Sequence, residues 1–142
     1  MPTPDELRAD LAAARADFAD AVRAAAAVWE RRPDSAEGEA AWSPRQAAEH
    51  CVAADVAYAS AVCIACGYPG LDRLQASYAT AADALLGLEQ ASAIADGRLK
   101  YVTEKDLEMR NQRGFTVAAM IRANADHFRD HARQIRAVVD SA

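Results

Sequence analysis

The sequence predicts an all-α protein built as a four-helix bundle. Alanine, the strongest helix former, supplies 37 of the 142 residues. Apolar residues recur at spacings of three and four over long stretches, as on the inward face of an amphipathic helix. The six glycines and five prolines fall, apart from Gly87, between those stretches or in the first turn of one. At this length, residues 1–142 suit one domain with its own core.

The first predicted helix runs from about Asp5 to about Glu30. Arg31 to Asp34 end it, and the small, polar residues 33–41 predict a loop. The apolar stripe of this first helix consists of Leu7, Leu11, Ala14, Phe18, Val22 and Ala25.

The second predicted helix has the clearest start in the chain. Ser43 suits the N-cap, Pro44 suits the first helical position, and Gln46 completes a capping box. The helix should reach Cys66, where the glycines and proline of residues 67–70 stop it.

The third predicted helix runs from about Asp72 to about Asp96, with Gly97 as its stop. Residues 98–115 then show no sustained spacing of apolar residues, although residues 103–106 suit a short capped turn. A connection of this length is uncommon in a compact domain and often forms a functional lid. The bundle seam of helix three would consist of Leu74, Tyr78, Ala81, Leu85, Leu88, Ser92 and Ala95.

The fourth predicted helix runs from about Thr116 to about Val139. Its inward face would carry Val117, Ile121, Asn124, Phe128, His131, Ile135 and Val138. Four such helices without a convincing strand predict a bundle, in which the long third connection permits either an up-down arrangement or a crossover.

Charge and patterning exclude several classes of function. The net charge is -5 and no run of lysine or arginine occurs, so we expect no nucleic-acid partner. The polar N-terminal residues lack the apolar core of a signal peptide. No stretch approaches roughly 20 apolar, uncharged residues, so no membrane span is expected. We therefore expect a cytoplasmic protein whose three cysteines stay reduced.

The three histidines form the main functional signal. His127 and His131 are four residues apart, so their side chains project from one helix face, roughly 5–6 Å apart at Cβ. Both lie on or beside the apolar stripe of helix four, and His50 lies two turns into helix two. Three neutral imidazoles can bind Zn²⁺, Ni²⁺ or a similar ion and leave a position open for water or substrate. The alternative is that the pair marks only the polar boundary of an amphipathic helix. His50 shares its side of helix two with small residues, namely Ala47, Ala54, Ala57 and Ala61.

Two segments resemble the DinB-like family. Residues 42–50 read Trp-Ser-Pro-Arg-Gln-Ala-Ala-Glu-His, similar to the family's Trp-Ser, helix start and histidine. Residues 124–135 resemble its closing His-x-x-x-His-x-x-Gln-Ile. The order and spacing match over nearly the whole chain. The resemblance implies a four-helix bundle, often a homodimer, with a divalent metal ion on His50, His127 and His131.

The resemblance also implies two kinds of function. The wider superfamily includes thiol transferases that use bacillithiol and the metal-binding domain of a mycothiol-dependent maleylpyruvate isomerase. One hypothesis is therefore a metal-dependent thiol S-transferase or small-molecule hydrolase, with a low-molecular-weight thiol or a small electrophile as partner. The other is a non-catalytic metal-containing module for a stress response or ligand binding. The second is favoured because no Asp or Glu is clearly placed on the histidine faces.

The cysteines suggest a weaker hypothesis, a dithiol redox protein. Cys63 and Cys66 form a C-x-x-C motif, but at the predicted C-terminal end of helix two, where the helix dipole disfavours a thiolate. We expect these thiols, and Cys51 beside His50, to pack as small hydrophobic residues or lie at the surface.

Other polar residues have candidate supporting roles. Asn124 would face inward and satisfy a polar contact in the bundle or orient water at the metal. Gln134 and Asp130 are candidate hydrogen-bond partners for the imidazole N–H groups. The charges of the long connection, Glu108, Arg110 and Arg113, would contact an anionic substrate or serve as ordinary loop charges.

Overall fold

Four long helices build the structure, a computed structural model that describes residues 1–34 and 37–142. The predicted all-α bundle is confirmed, and within these residues the only strand-like pairing is one isolated bridge between Arg110 and Thr116. The helices are α1 (Pro4–Ala24), α2 (Pro44–Ala65), α3 (Ala81–Leu99) and α4 (Val117–Asp140). Short 3-10 turns occur at Ala26–Val28, Gly38–Ala41 and Lys105–Glu108.

The helices pack in a ring in which α1 lies on α4, α4 on α2, and α2 on α3. Contact between α1 and α3 is the weakest of the four sides. The predicted stripes of α1 and α4 are buried, and Phe18 meets Phe128 edge-to-face at a centroid distance of 5.2 Å. These stripes form the core that holds α4 in place.

The start of α2 follows the prediction. The Ser43 hydroxyl accepts from the Gln46 amide, and the Gln46 side chain accepts from the Ser43 amide. Pro44 is the first helical residue, and Cys66 is the C-terminal cap. The N-terminal cap at Ser43 fixes the start of α2 and therefore the position of His50 on this helix.

One helix, α2, is long and apolar enough to cross a membrane when only length and composition are considered. It has 22 residues, and its most apolar window has a mean hydropathy of 1.2, contrary to the expectation that no segment approaches this limit. Its many alanine and valine residues outweigh its few charged residues in this mean hydropathy. Half of that window is buried inside the bundle, and Asp55 within it pairs with Arg15 at 2.7 Å. These are the features of a core helix.

The α-helix at the N-terminus ends at Ala24 rather than near Glu30. The chain tightens into a 3-10 turn so that Trp29, only 6% exposed, points inward. The Trp29 indole N–H donates to the Tyr78 carbonyl at 2.9 Å, and the Trp29 carbonyl accepts from the Arg45 amide at 2.9 Å. A continuous helix would not make these tertiary contacts.

The predicted start of helix three near Asp72 is wrong. The helix begins at Ala81, and the Thr80 hydroxyl caps it by accepting from the Asp83 amide at 3.1 Å. Gly97 lies inside α3 and is not its stop. The helix continues to Leu99, which is buried.

The residues before α3 form an irregular, largely extended segment. Leu74, Ala76 and Tyr78 turn towards the bundle while the residues between them are exposed, which is the two-residue period of extended chain. The Tyr78 amide donates to the Glu49 carboxylate at 2.7 Å. The Tyr78 ring packs so closely on α3 that a Cβ at Gly87 would lie 2.2 Å from it.

The long connection between α3 and α4 is ordered around a buried anchor. Leu107 is 3% exposed within the 3-10 turn Lys105–Glu108. The predicted capped turn forms, because the Thr103 amide and hydroxyl both donate to the Asp106 carboxylate.

Candidate metal centre

The three histidines predicted as ligands lie together in the structure. His50 comes from α2, and His127 and His131 come from α4. One ring nitrogen of each lies within 4.8 Å of the other two. The shortest separation joins the Nε2 atoms of His50 and His127, at 3.0 Å. The cluster is therefore compact enough to hold a metal ion.

The exposure of the three rings is graded. His131 lies on the buried stripe of α4 and is 9% exposed, whereas His127 is half-buried. The His50 side chain is 39% exposed. His50 also borders a cavity of about 370 Å³ between α2 and residues 71–74. The cluster thus has a buried side at His131 and an accessible side at His50.

A hydrogen bond fixes the orientation of His131. Its Nδ1 lies 2.6 Å from the Gln134 Oε1, which can only accept, so Nδ1 carries the proton and the Nε2 lone pair is free. The Gln134 amide nitrogen donates in turn to the Glu39 carbonyl. Gln134 therefore has the predicted contact, whereas Asp130 instead pairs with Arg133.

Trp42 covers one side of the cluster. Its ring is stacked on His131, with centroids 6.0 Å apart and planes at 18°, and it lies 5.0 Å from the His50 ring. Sequence reasoning gave Trp42 no contact with the histidines, because it lies eight residues, or about two helical turns, before His50. The indole thus contacts both His50 and His131 on that side.

Glu39 is a carboxylate near the histidines that the sequence did not reveal. Its Oε1 lies 3.9 Å from the His50 Nε2, and its side chain is 64% exposed. This corrects the expectation that no acidic residue is placed at the histidine faces. The reason is that Glu39 lies on the 3-10 turn Gly38–Ala41, in a segment without periodicity that predicted only a loop.

The environment of His127 and His50 favours their neutral form. Burial, together with the charges of His131 and His50 when protonated, lowers the pKa of His127 to about 4. Burial and then His131 also lower the pKa of His50, while Glu39 acts in the opposite sense. Neutral imidazole is the form that binds a metal. The His127 Nδ1 is buried and has no hydrogen-bond partner within the described residues.

A buried ion pair connects α1, α2 and α4. The Asp55 carboxylate is fully buried and accepts from Arg15 at 2.7 and 3.0 Å. It also accepts from the Asn124 amide at 2.9 Å, so Asn124 satisfies a polar contact in the bundle. Sequence analysis missed Asp55, whose only signal is a charge on the apolar side of α2.

The thiols do not belong to the histidine cluster. Cys51 and Cys63 are buried as free thiols, and Cys66 is half-buried at the end of α2. Burial raises the pKa of Cys51 and of Cys66. These cysteines have the packing character that the sequence predicted.

The charges of the long connection do different things. The Arg110 guanidinium donates to the Gly114 carbonyl at 2.6 Å and so holds the turn before α4. Glu108 is exposed. Arg113 lines a cavity between α2 and α4.

No family model, curated protein or solved structure matches this chain. The resemblance to the DinB-like family therefore depends on the two sequence segments alone.

Proposed function

We propose that this chain is a DinB-like metalloprotein that binds one divalent ion through His50, His127 and His131. The observation that carries the proposal is the mutual approach of the three ring nitrogens, within 4.8 Å. Zinc–nitrogen bonds of about 2.0–2.1 Å place the nitrogens of a tetrahedral site roughly 3.3–3.4 Å apart. Small rotations of the rings would bring this cluster to those separations.

The donor set favours zinc or nickel. Imidazole suits both ions, and neither oxygen-rich coordination nor thiolate is offered by these residues. Two features support the fit. The Nε2 atoms of His50 and His127 face each other at 3.0 Å, and the Nδ1 proton of His131 is held by Gln134, which leaves its Nε2 free.

Three histidines would leave a coordination position for a further ligand, and the exposure of His50 favours its side of the cluster for that ligand. An ion there would supply Lewis acidity to a water or thiol in that position. Trp42 stacks on His131, and Gln134 holds His131 in orientation. The Glu39 carboxylate, 3.9 Å from the His50 Nε2, is placed to accept a proton from that ligand. These roles suit a thiol S-transferase or a small-molecule hydrolase.

Glu39 also supports the second candidate, a non-catalytic metal module. The same carboxylate could turn towards the ion as a fourth ligand, which would close the site. The exchange Glu39→Gln separates the two cases. With an open site, the variant keeps its metal affinity but loses turnover of an electrophile with a low-molecular-weight thiol, or of a hydrolysable ester. With a closed site, metal affinity falls and the wild type shows no turnover in either screen.

The metal proposal is tested by metal content. The chain is stripped with a chelator, reloaded with zinc, desalted and analysed by mass spectrometry. We expect one equivalent in the wild type and a large loss in His50→Ala, His127→Ala and His131→Ala, each with unchanged circular dichroism. Asp130→Asn is the matched control on α4, since that carboxylate pairs with Arg133. Stoichiometric zinc in any one histidine variant removes that residue from the site.

The resemblance further suggests a homodimer. Sedimentation equilibrium of the zinc-loaded chain tests this part of the proposal, and a monomer at micromolar concentration would contradict it.

A further inference from the structure

A cavity of about 410 Å³ lies between α2 and α4, next to the histidines. Ala54 is four residues after His50, and Ala123 is four residues before His127, so the cavity begins one helical turn from both ligands. Ala54 also borders the cavity at His50, so the two spaces are neighbours. The remaining lining consists of Ala57, Tyr58, Ala61, Asn111, Arg113, Phe115, Ala119 and Met120.

Tyr58 lines the cavity and lies beside one of the histidines. Its ring lies 5.9 Å from the His127 ring, centroid to centroid. Its hydroxyl makes no hydrogen bond to any residue in the described part of the chain. Burial raises the pKa of Tyr58, so the hydroxyl stays protonated and can donate to a ligand.

The long connection supplies a positive charge to the same cavity. The Asn111 side-chain oxygen accepts from the amides of Arg113 and Phe115, at 3.0 and 2.9 Å, which holds this turn over the cavity. The Arg113 guanidinium lies 5.7 Å from the Phe115 ring centroid. Arg113 is exposed and, like Arg110 and Arg122, has no carboxylate within ion-pair distance among the described residues.

We infer that this cavity binds an organic carboxylate with an apolar body. The alanines, Met120 and Phe115 give apolar walls, and the volume is within the range of small-molecule sites. One guanidinium without a counter-ion matches one carboxylate. The carboxylate would lie at Arg113 and the opposite end of the ligand would lie beside Tyr58 and the histidines. The placement of a reacting group at the metal rests on the proposed function, whereas binding in the cavity does not.

The probe for this site is 3-phenylpropionate, and its neutral counterpart is 3-phenylpropanamide. Binding to the full chain is measured by calorimetry, first in the metal-free form and then with zinc. We expect the carboxylate to bind both forms and the amide to bind more weakly. Ala57→Phe, at an exposed position, should fill the cavity and reduce affinity at least about tenfold. Arg113→Gln should reduce it by up to about fivefold, as for an exposed ion pair.

Arg122→Gln is the matched control, because Arg122 is an exposed arginine of α4 that does not line the cavity. Ala119→Phe, on the opposite wall, is a second blocking variant, and circular dichroism verifies that both fold. Absence of binding to the wild type, or equal affinity for the amide, overturns the proposal. So does binding that survives both blocking variants, or an Arg122→Gln loss equal to that of Arg113→Gln. Failure of the cavity proposal and failure of the metal proposal are distinguishable. The first appears as absent binding of 3-phenylpropionate to the metal-free chain, and the second as absent zinc in the metal analysis.

Discussion

Replacing Asp55 with alanine should destabilise the bundle by about 3–5 kcal/mol, the usual cost of removing one partner from a buried ion pair. The carboxylate accepts two hydrogen bonds from Arg15, one from Ser92 at 3.0 Å and one from Asn124 at 2.9 Å. Arg15 is only 7% exposed, so the guanidinium left behind loses its buried counter-ion. Asp96 is the matched control, because it meets the same guanidinium at 2.8 Å but its side chain is 56% exposed. Asp96→Ala should cost about 0.2–1 kcal/mol.

The assay is urea unfolding followed by circular dichroism, with a chelator present so that no metal contributes to stability. The double variant Arg15→Met with Asp55→Leu should regain part of the loss, since it removes both buried charges but leaves the Asn124 amide without its acceptor. The reasoning is refuted if Asp55→Ala and Asp96→Ala differ by less than about 1 kcal/mol, a margin small against the expected cost.

Three further results are expected. Gly87→Ala should destabilise the protein by about 1 kcal/mol in the same urea assay, because the new Cβ displaces the Tyr78 ring. Gly97→Ala should instead stabilise it by about 0.5–1 kcal/mol, because alanine favours the helix and open space surrounds that position. In the metal-free chain the pKa of His127 is about 4 in the folded state against about 6.5 unfolded, so the unfolded state binds the proton first. Stability should therefore fall as pH drops from about 6.5 towards about 4, and His127→Gln should flatten that part of the curve. Changing Cys63 and Cys66 together to alanine should leave the zinc content unaltered, and a large loss of zinc would instead indicate a thiolate ligand.

The helices that the sequence predicted well are those whose local signals agree with tertiary packing. In α2, the capping box at Ser43 and Gln46 forms as expected, and in α4 every residue of the predicted inward face is buried. The start of α2 and the inward face of α4 were predictable, and so was the approach of His50 to the histidine pair of α4. The alanine stripe beside His50 was predicted less well, because Ala54 and Ala61 are half-buried and Ala57 is exposed.

The start of α3 was not predictable from spacing. Leu74 and Tyr78 are four residues apart, and a separation of four fits both a helix and an alternating extended chain. What decides between them is contact with distant residues: Glu49 accepts the Tyr78 amide and Trp29 donates to the Tyr78 carbonyl. Neither partner can be inferred from the local pattern.

The surroundings of the candidate metal centre could not be predicted for the same reason. Glu39 reaches His50 from a short 3-10 turn, and Tyr58 reaches His127 from a position that reads as one more residue of α2. The role inferred for Arg113 depends on the fold of the connection, which brings this residue to the cavity. Such contacts depend on the mutual placement of elements, which hydrophobic periodicity does not encode.

Titration of the metal-free chain with Co²⁺, followed by visible absorption, tests the central claim most directly. Three histidines and an open position predict saturation at one equivalent, with the absorption of a low-coordinate cobalt site that shifts when azide or a small thiol is added. Replacing His50, His127 and His131 together with alanine should abolish the signal. A spectrum that persists in the triple variant, or that never develops in the wild type, would contradict the claim that these residues hold a metal ion.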